Sequence, residues 1–383
     1  MTHWRCGGGV DLDKLEVNAG WPNLQRIMKG HGDMGQTATA PDASGTGQTQ
    51  KPRRGTANRA WMSAARGMLN RQAALLLVYL LIINSVGLLF GVLAQMEWNA
   101  VFDPVPAHSG FIYVMSHADK EYGGIINLIA ACTGLCFLVF TRRRQICDSG
   151  PSGIFHTDLH PMTWQVLLGC FALTLTGQTL ADWYQSGMDW TTARLGVQQS
   201  WTTTEQIQQA SGTIPMFIYV SLLAPVIEEL VFRGAILHAL KPYGHVFAIV
   251  TSAVMFGFFH GDLGQGFFAF IMGLLLGYLA CEYSIFWSIA LHVFNNLVVS
   301  DGLELLLGFM SDNMSSYINV LMMLAGLLAA VLVLYLGRHR IVAFLRENRT
   351  YTNVYGAWAC PFFIMLLLIM GFTMLTPFVS AGA

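Results

Sequence analysis

Residues 222–234 read Leu222-Leu223-Ala224-Pro225-Val226-Ile227-Glu228-Glu229-Leu230-Val231-Phe232-Arg233-Gly234. Three ionisable side chains stand inside an apolar run that spans residues 213–240. A run of that length is what one helix needs to cross a bilayer core, about 20 residues. A charge near the centre of such a helix costs about 2.5–3.5 kcal/mol on insertion scales. Groups that expensive face a protein interior or a water-filled cavity, and they mark function by default.

The rest of the chain agrees with a membrane setting. Of 383 residues, 54% are hydrophobic and 11% are charged, against about 25% charged in soluble domains. Apolar segments recur at 73–95, 123–141, 162–182, 213–240, 245–261, 265–282, 285–300, 317–336 and 357–378. The pattern predicts an all-α polytopic membrane protein with about nine transmembrane helices. The active site is expected in a water-accessible cavity among the helices of 213–300. Basic residues sort onto alternate ends of these segments. One set of ends carries Lys51, Arg53, Arg54, Arg59, Arg66, Arg71, Arg142, Arg143, Arg144, Lys241, Arg338, Arg340, Arg346 and Arg349, and the other carries Lys120 and Arg194. By the positive-inside rule the N-terminus is cytoplasmic and the C-terminus lies outside, and the plasma membrane is the expected location.

Residues 1–70 differ in kind. The stretch from Gly30 to Ala60 is rich in Gly, Thr, Gln, Ala and Pro without apolar periodicity, which predicts a flexible polar cytoplasmic tail ahead of a helical domain at 71–383. Trp183–Gly212 and Asp301–Ser316 read as polar connections on the outer side. The seven cysteines are scattered and suggest neither a disulfide framework nor a thiolate metal site. A net charge of −1 with no basic stripe points away from nucleic acid as a partner. Membrane lipid is the partner the composition demands.

Within 222–234 the two glutamates separate by geometry. Glu229 and Arg233 are i,i+4 with the acid first, the favoured order for an intrahelical ion pair. Glu228 lies about 100° round the helix, next to Val231 and Phe232 one turn on. A carboxylate without a cationic partner among apolar neighbours suits a general base. Pro225, three residues earlier, removes a helix hydrogen bond and allows a kink. Two further segments add polar groups, His260 at the end of Phe256-Gly257-Phe258-Phe259-His260, and His292 with Asn296. The i,i+4 spacing puts His292 and Asn296 on one helix face, where paired donors can stabilise one developing oxyanion. Counted at 1.5 Å per residue from the cytoplasmic ends, Glu228, His260 and His292 lie roughly 18, 22 and 12 Å deep. One cavity can hold them all.

These residues carry a resemblance. Glu228-Glu229-x-x-x-Arg233, Phe256-x-x-x-His260 and His292-x-x-x-Asn296, in order on successive apolar helices, resemble the three-part signature of the CPBP family. That family comprises the CAAX-processing type II prenyl endopeptidases and the bacteriocin-processing and immunity proteins, also called the Abi family. The resemblance covers about 213–300 and implies a glutamate-dependent intramembrane endopeptidase. By it, Glu228 and His260 activate water, His292 and Asn296 form the oxyanion site, and Glu229 with Arg233 is structural. The implied substrate is a membrane-bound or lipidated, CAAX-like protein. No cofactor is implied by this reading. The alternative is a zinc-dependent protease in which Glu228, His260 and His292 are the metal ligands and water takes the fourth position. A different class of alternative is a transporter relay or an immunity protein that acts by binding alone.

Overall fold

The computed structural model describes residues 54–101, 111–148, 153–155, 160–199, 213–348 and 353–380. The chain is an all-α polytopic membrane protein. Nine helices stand among the described residues: α1 (Arg54–Val101), α2 (Phe111–Ile146), α3 (Trp164–Leu195), α4 (Ile214–Tyr243), α5 (His245–Phe259), α6 (Leu263–Glu282), α7 (Ile285–Gly308), α8 (Asp312–Glu347) and α9 (Pro361–Leu375). Each of the nine apolar segments falls on one of them. Six carry stretches long and apolar enough to cross a membrane, namely Arg59–Ala94, Tyr122–Ile146, Ile214–Tyr243, Leu263–Glu282, Ile285–Gly308 and Asn313–Glu347. Helices α5 and α9 have 15 residues each, and α3 carries Thr174, Thr176, Gln178 and Thr179 in its middle.

Three boundaries depart from the sequence reading, each for a local reason. Residues 1–53 lie outside the described residues, but helix α1 begins at Arg54, inside the stretch expected to be tail. Ala65, Leu69, Ala73 and Leu76 recur on one helical stripe and are all fully buried, so the apolar periodicity begins well before Ala73. Helix α3 runs on through the expected polar connection to Leu195, and it stops where Gly196 turns left-handed at φ 64°. Helix α7 likewise continues past Asp301 to Gly308. Beyond α3, the short strand β1 (Val197–Gln199) pairs antiparallel with β2 (Phe378–Ser380).

The candidate residues of α4–α7 are placed by strong local punctuation. Helix α5 ends at Phe259, so His260 stands at its C-terminal cap, followed by Gly261 at φ 63°. Asp262 starts α6 by accepting a hydrogen bond from the Gln265 N–H at 2.8 Å, and Ser284 starts α7 by accepting from the Trp287 N–H at 3.4 Å. Helices α5 and α6 meet at Gly257 and Gly266, where a Cβ on either would come within 2.8 Å of the other's carbonyl oxygen. In a membrane such small-residue contacts let helix backbones approach closely. The core beneath them is aromatic, with Phe232, Phe247, Phe256 and Phe363 essentially sealed from solvent.

Helix α4 is not a regular α-helix. It widens into a π-helical turn at Tyr219–Leu223 just before Pro225, and again at Leu230–Leu237 just after Glu229. A third π-helical stretch, Asn295–Gly302, follows His292 in α7. Such turns occur mostly as single insertions at functional sites. Here two of them flank Glu228 and Glu229, the second holds Arg233, and the third holds Asn296.

Candidate active site

Glu229 is the hub of a buried network. Its Oε1 accepts from Arg233 Nη1 at 2.7 Å and from His292 Nδ1 at 2.9 Å. Its Oε2 accepts from the Ser288 hydroxyl at 2.5 Å. Both members of the Glu229–Arg233 pair have fully buried side chains. Arg233 also donates to the Gly273 carbonyl at 3.3 Å and lies over the Phe256 ring at 4.5 Å. Arg233 Nε is buried without a hydrogen-bond partner among the described residues, so the pair is fully met on the glutamate side and only in part on the arginine side. Both carboxylate oxygens of Glu229 are taken by protein donors.

Glu228 is held differently. Its side chain is 17% exposed, and His292 Nε2 lies 3.8 Å from its Oε2. It lines a cavity of about 330 Å³ together with Tyr79, Asn84, Asn127, Tyr219 and apolar side chains that include Ile227 and Phe259. One turn of one helix thus carries a carboxylate consumed by its partners and a carboxylate left open to a cavity.

His292 sits between the two. A carboxylate only accepts, so the 2.9 Å contact fixes a proton on Nδ1 and turns Nε2 toward Glu228. Nε2 donates a hydrogen bond only when the ring is doubly protonated, with Glu229 and Glu228 balancing the charge. His260 has the same assignment at Nδ1. Its Nδ1 lies 2.9 Å from the Phe256 carbonyl, which can only accept, so Nδ1 carries the proton and Nε2 is left as a base. Phe256 stands edge-on between the two imidazoles, with centroids 4.9 Å from His260 and 5.7 Å from His292.

Asn296 is tied into the wall. Its Nδ2 donates to the Val220 carbonyl at 3.0 Å, and its Oδ1 accepts from Asn295 at 3.0 Å. Asn295 in turn accepts from Gln178 of α3 at 3.4 Å. The second N–H of Asn296 has no protein partner among the described residues. The π-helical turn of α4 before Pro225 supplies the Val220 carbonyl, and the neighbouring Ser221 hydroxyl donates to Asp301 of α7. The two π-helical stretches are stitched together by side chains.

The zinc reading requires Glu228, His260 and His292 around one point. Among the described residues, no group of three His, Cys, Asp or Glu side chains is arranged to hold a metal ion. The Nδ1 atoms of both histidines face protein acceptors, which leaves Nε2 as the ring nitrogen each could offer to a ligand. No chemical step below passes through a metal.

Sequence reasoning missed several members of this site. Ser288 was passed over because a serine in an apolar helix is ordinarily a packing residue. Tyr79, Asn84 and Asn127 come from α1 and α2, and nothing in their local sequence points to residue 228. Asn84 and Asn127 did leave a signal, since amides in apolar spans are uncommon.

Residues 210–298 match the family model described as type II CAAX prenyl endopeptidase Rce1-like. The matched segment contains Glu228, Glu229, Arg233, His260, His292 and Asn296 and leaves out α1–α3, α8 and α9. No curated protein and no solved structure matches the chain.

Proposed function

We propose, on the premise that residues 210–298 form a domain of the CPBP/CAAX protease family, that this protein is a glutamic intramembrane endopeptidase. It hydrolyses a peptide bond in a membrane-associated or lipidated, CAAX-like protein. The observation that carries this reading is the division of labour between adjacent glutamates. Glu229 is saturated by Arg233, Ser288 and His292, whereas Glu228 faces the cavity with one 3.8 Å neighbour.

In this reading Glu228 takes a proton from water as the hydroxyl oxygen adds to the scissile carbonyl carbon. His260, with Nε2 free, helps orient that water. Negative charge then builds on the carbonyl oxygen, where His292 and the remaining N–H of Asn296 supply hydrogen bonds. Collapse of the tetrahedral intermediate breaks the C–N bond, and Glu228 returns its proton to the departing amine. Glu229 keeps His292 in register throughout, as the fixed carboxylate behind an imidazole.

The test is Glu228→Gln in purified protein, with cleavage of a farnesylated CAAX peptide as the readout. General-base loss removes about 10²- to 10⁴-fold of rate, while the amide leaves fold and insertion intact. Turnover within a few-fold of wild type removes Glu228 as the base.

A further inference from the structure

The matched segment supplies only one wall of the cavity. The facing wall comes from α1 and α2, which precede residue 210 and carry Tyr79, Asn84 and Asn127. Tyr79 is 4% exposed and Leu88, nine residues along the same helix and on the same cavity, is 59% exposed. The cavity therefore runs along α1 from the interior to the surface. Nine residues of helix cover about 13–14 Å, enough for about four residues of extended chain.

Two amides line this path, and each is only partly used. Asn84 donates one N–H to the Leu80 carbonyl of its own helix at 2.8 Å. Asn127 donates one to the Met216 sulfur at 3.8 Å, a weak acceptor. An asparagine side chain carries two N–H groups and a carbonyl, so both keep a donor and an acceptor. An extended peptide at membrane depth has the complementary need. Its own N–H and C=O groups are paired neither by helix nor by water, and each unsatisfied group costs several kcal/mol. A hydrocarbon chain has no such need, which makes a peptide backbone rather than an isoprenoid the ligand of these amides.

We propose that Asn84 and Asn127 form a main-chain-binding subsite that holds an apolar substrate peptide, extended over about four residues, against Glu228. This rests on the reading of Glu228 as the base and names what α1 and α2 add to it. The two asparagines are substrate-positioning groups outside the matched segment.

The experiment measures binding of a fluorescent farnesylated CAAX peptide to Glu228→Gln protein in nanodiscs by anisotropy. Adding Asn84→Leu or Asn127→Leu should raise Kd about threefold to tenfold each, the scale of one lost hydrogen bond. Melting temperatures should hold, since leucine is at home in an apolar helix. A series of ester-backbone peptides, each lacking one N–H, tests the same contact on the parent protein. One ester position should weaken binding to the parent and cause no further loss in the matching asparagine variant. Unchanged Kd in both variants, ester losses that simply add to the variant losses, or no saturable binding of the peptide overturns the proposal. The two readings fail separately. If Glu228→Gln stops wild-type cleavage but both leucine variants bind like the parent, only the subsite is lost. If Glu228→Gln still cleaves while the leucine variants bind weakly, only the base assignment is lost.

Discussion

Replacing Glu229 by Gln is the sharpest probe of the division between the two glutamates. The amide keeps the shape of the side chain. Its oxygen can still face Arg233 and His292, and its NH₂ can face Ser288, whose hydroxyl turns to accept. What is lost is the charge, and Arg233 is left as a buried cation whose close neighbours, the amide oxygen, the Gly273 carbonyl and the Phe256 ring, are all neutral. Removing one partner of a buried pair costs about 3–5 kcal/mol. At about 2 °C per kcal/mol, the low end of the range for large domains, the melting temperature falls by about 6–10 °C. Scanning fluorimetry in one detergent, run beside Glu228→Gln, reads this directly. The Glu228 variant should melt within about 1–2 °C of wild type, because its side chain keeps one long contact and an open cavity. A double variant, Glu229→Leu with Arg233→Leu, should recover more than half of the loss, since removing both charges is nearly neutral. Wild-type melting of Glu229→Gln, or no recovery in the double variant, would show that the pair is not the structural tie described here.

Three further outcomes follow from the site and the packing. Dialysis against a strong chelator should leave peptide cleavage unchanged and purified protein should hold far less than one zinc per chain; stoichiometric zinc lost together with activity would reverse that choice. Gly257→Ala should lower stability by about 1–3 kcal/mol through overpacking against Gly266, and a melting temperature equal to wild type would show that α5 and α6 can part without cost. Reporter tags at the N-terminus and near Arg340 should read cytoplasmic, with tags at Gly302 and the C-terminus outside; a cytoplasmic C-terminus would make α5 or α7 a re-entrant or interfacial segment.

Much of this architecture is written in side-chain chemistry that acts over one helical turn. The i,i+4 relation of Glu229 and Arg233, and the different direction of Glu228, are local facts, and the structure shows that pair at 2.7 Å. The approach of His292 to both glutamates is long-range but follows from three polar groups sharing an apolar interior. What sequence could not convey has two sources. Contacts such as Asn127 with Met216 or Asn84 with the cavity of Glu228 join segments about 90 residues or more apart, and no periodicity encodes them. The π-helical turns are hidden for another reason. Helix α4 is apolar almost all round, so inserting one residue moves no polar side chain out of register with water, and the pattern that normally betrays a helix's phase is absent. The early start of α1 was masked by polar neighbours around the buried stripe from Ala65 to Leu76.

The bond between Asn70 and the start of α9 has a consequence for the timing of assembly. Asn70 Oδ1 accepts from the Phe362 N–H, and Arg66 donates to the Gly356 carbonyl. β1 likewise finds its partner in Phe378–Ser380. The first helix of the bundle therefore leaves the ribosome with its docking groups unmet, and it waits through the synthesis of nearly 300 residues, the separation of Asn70 and Phe362 being 292. During that interval the part of α1 that carries Arg66 and Asn70 stays open, and that seam of the bundle closes only when Gly356 and Phe362 arrive.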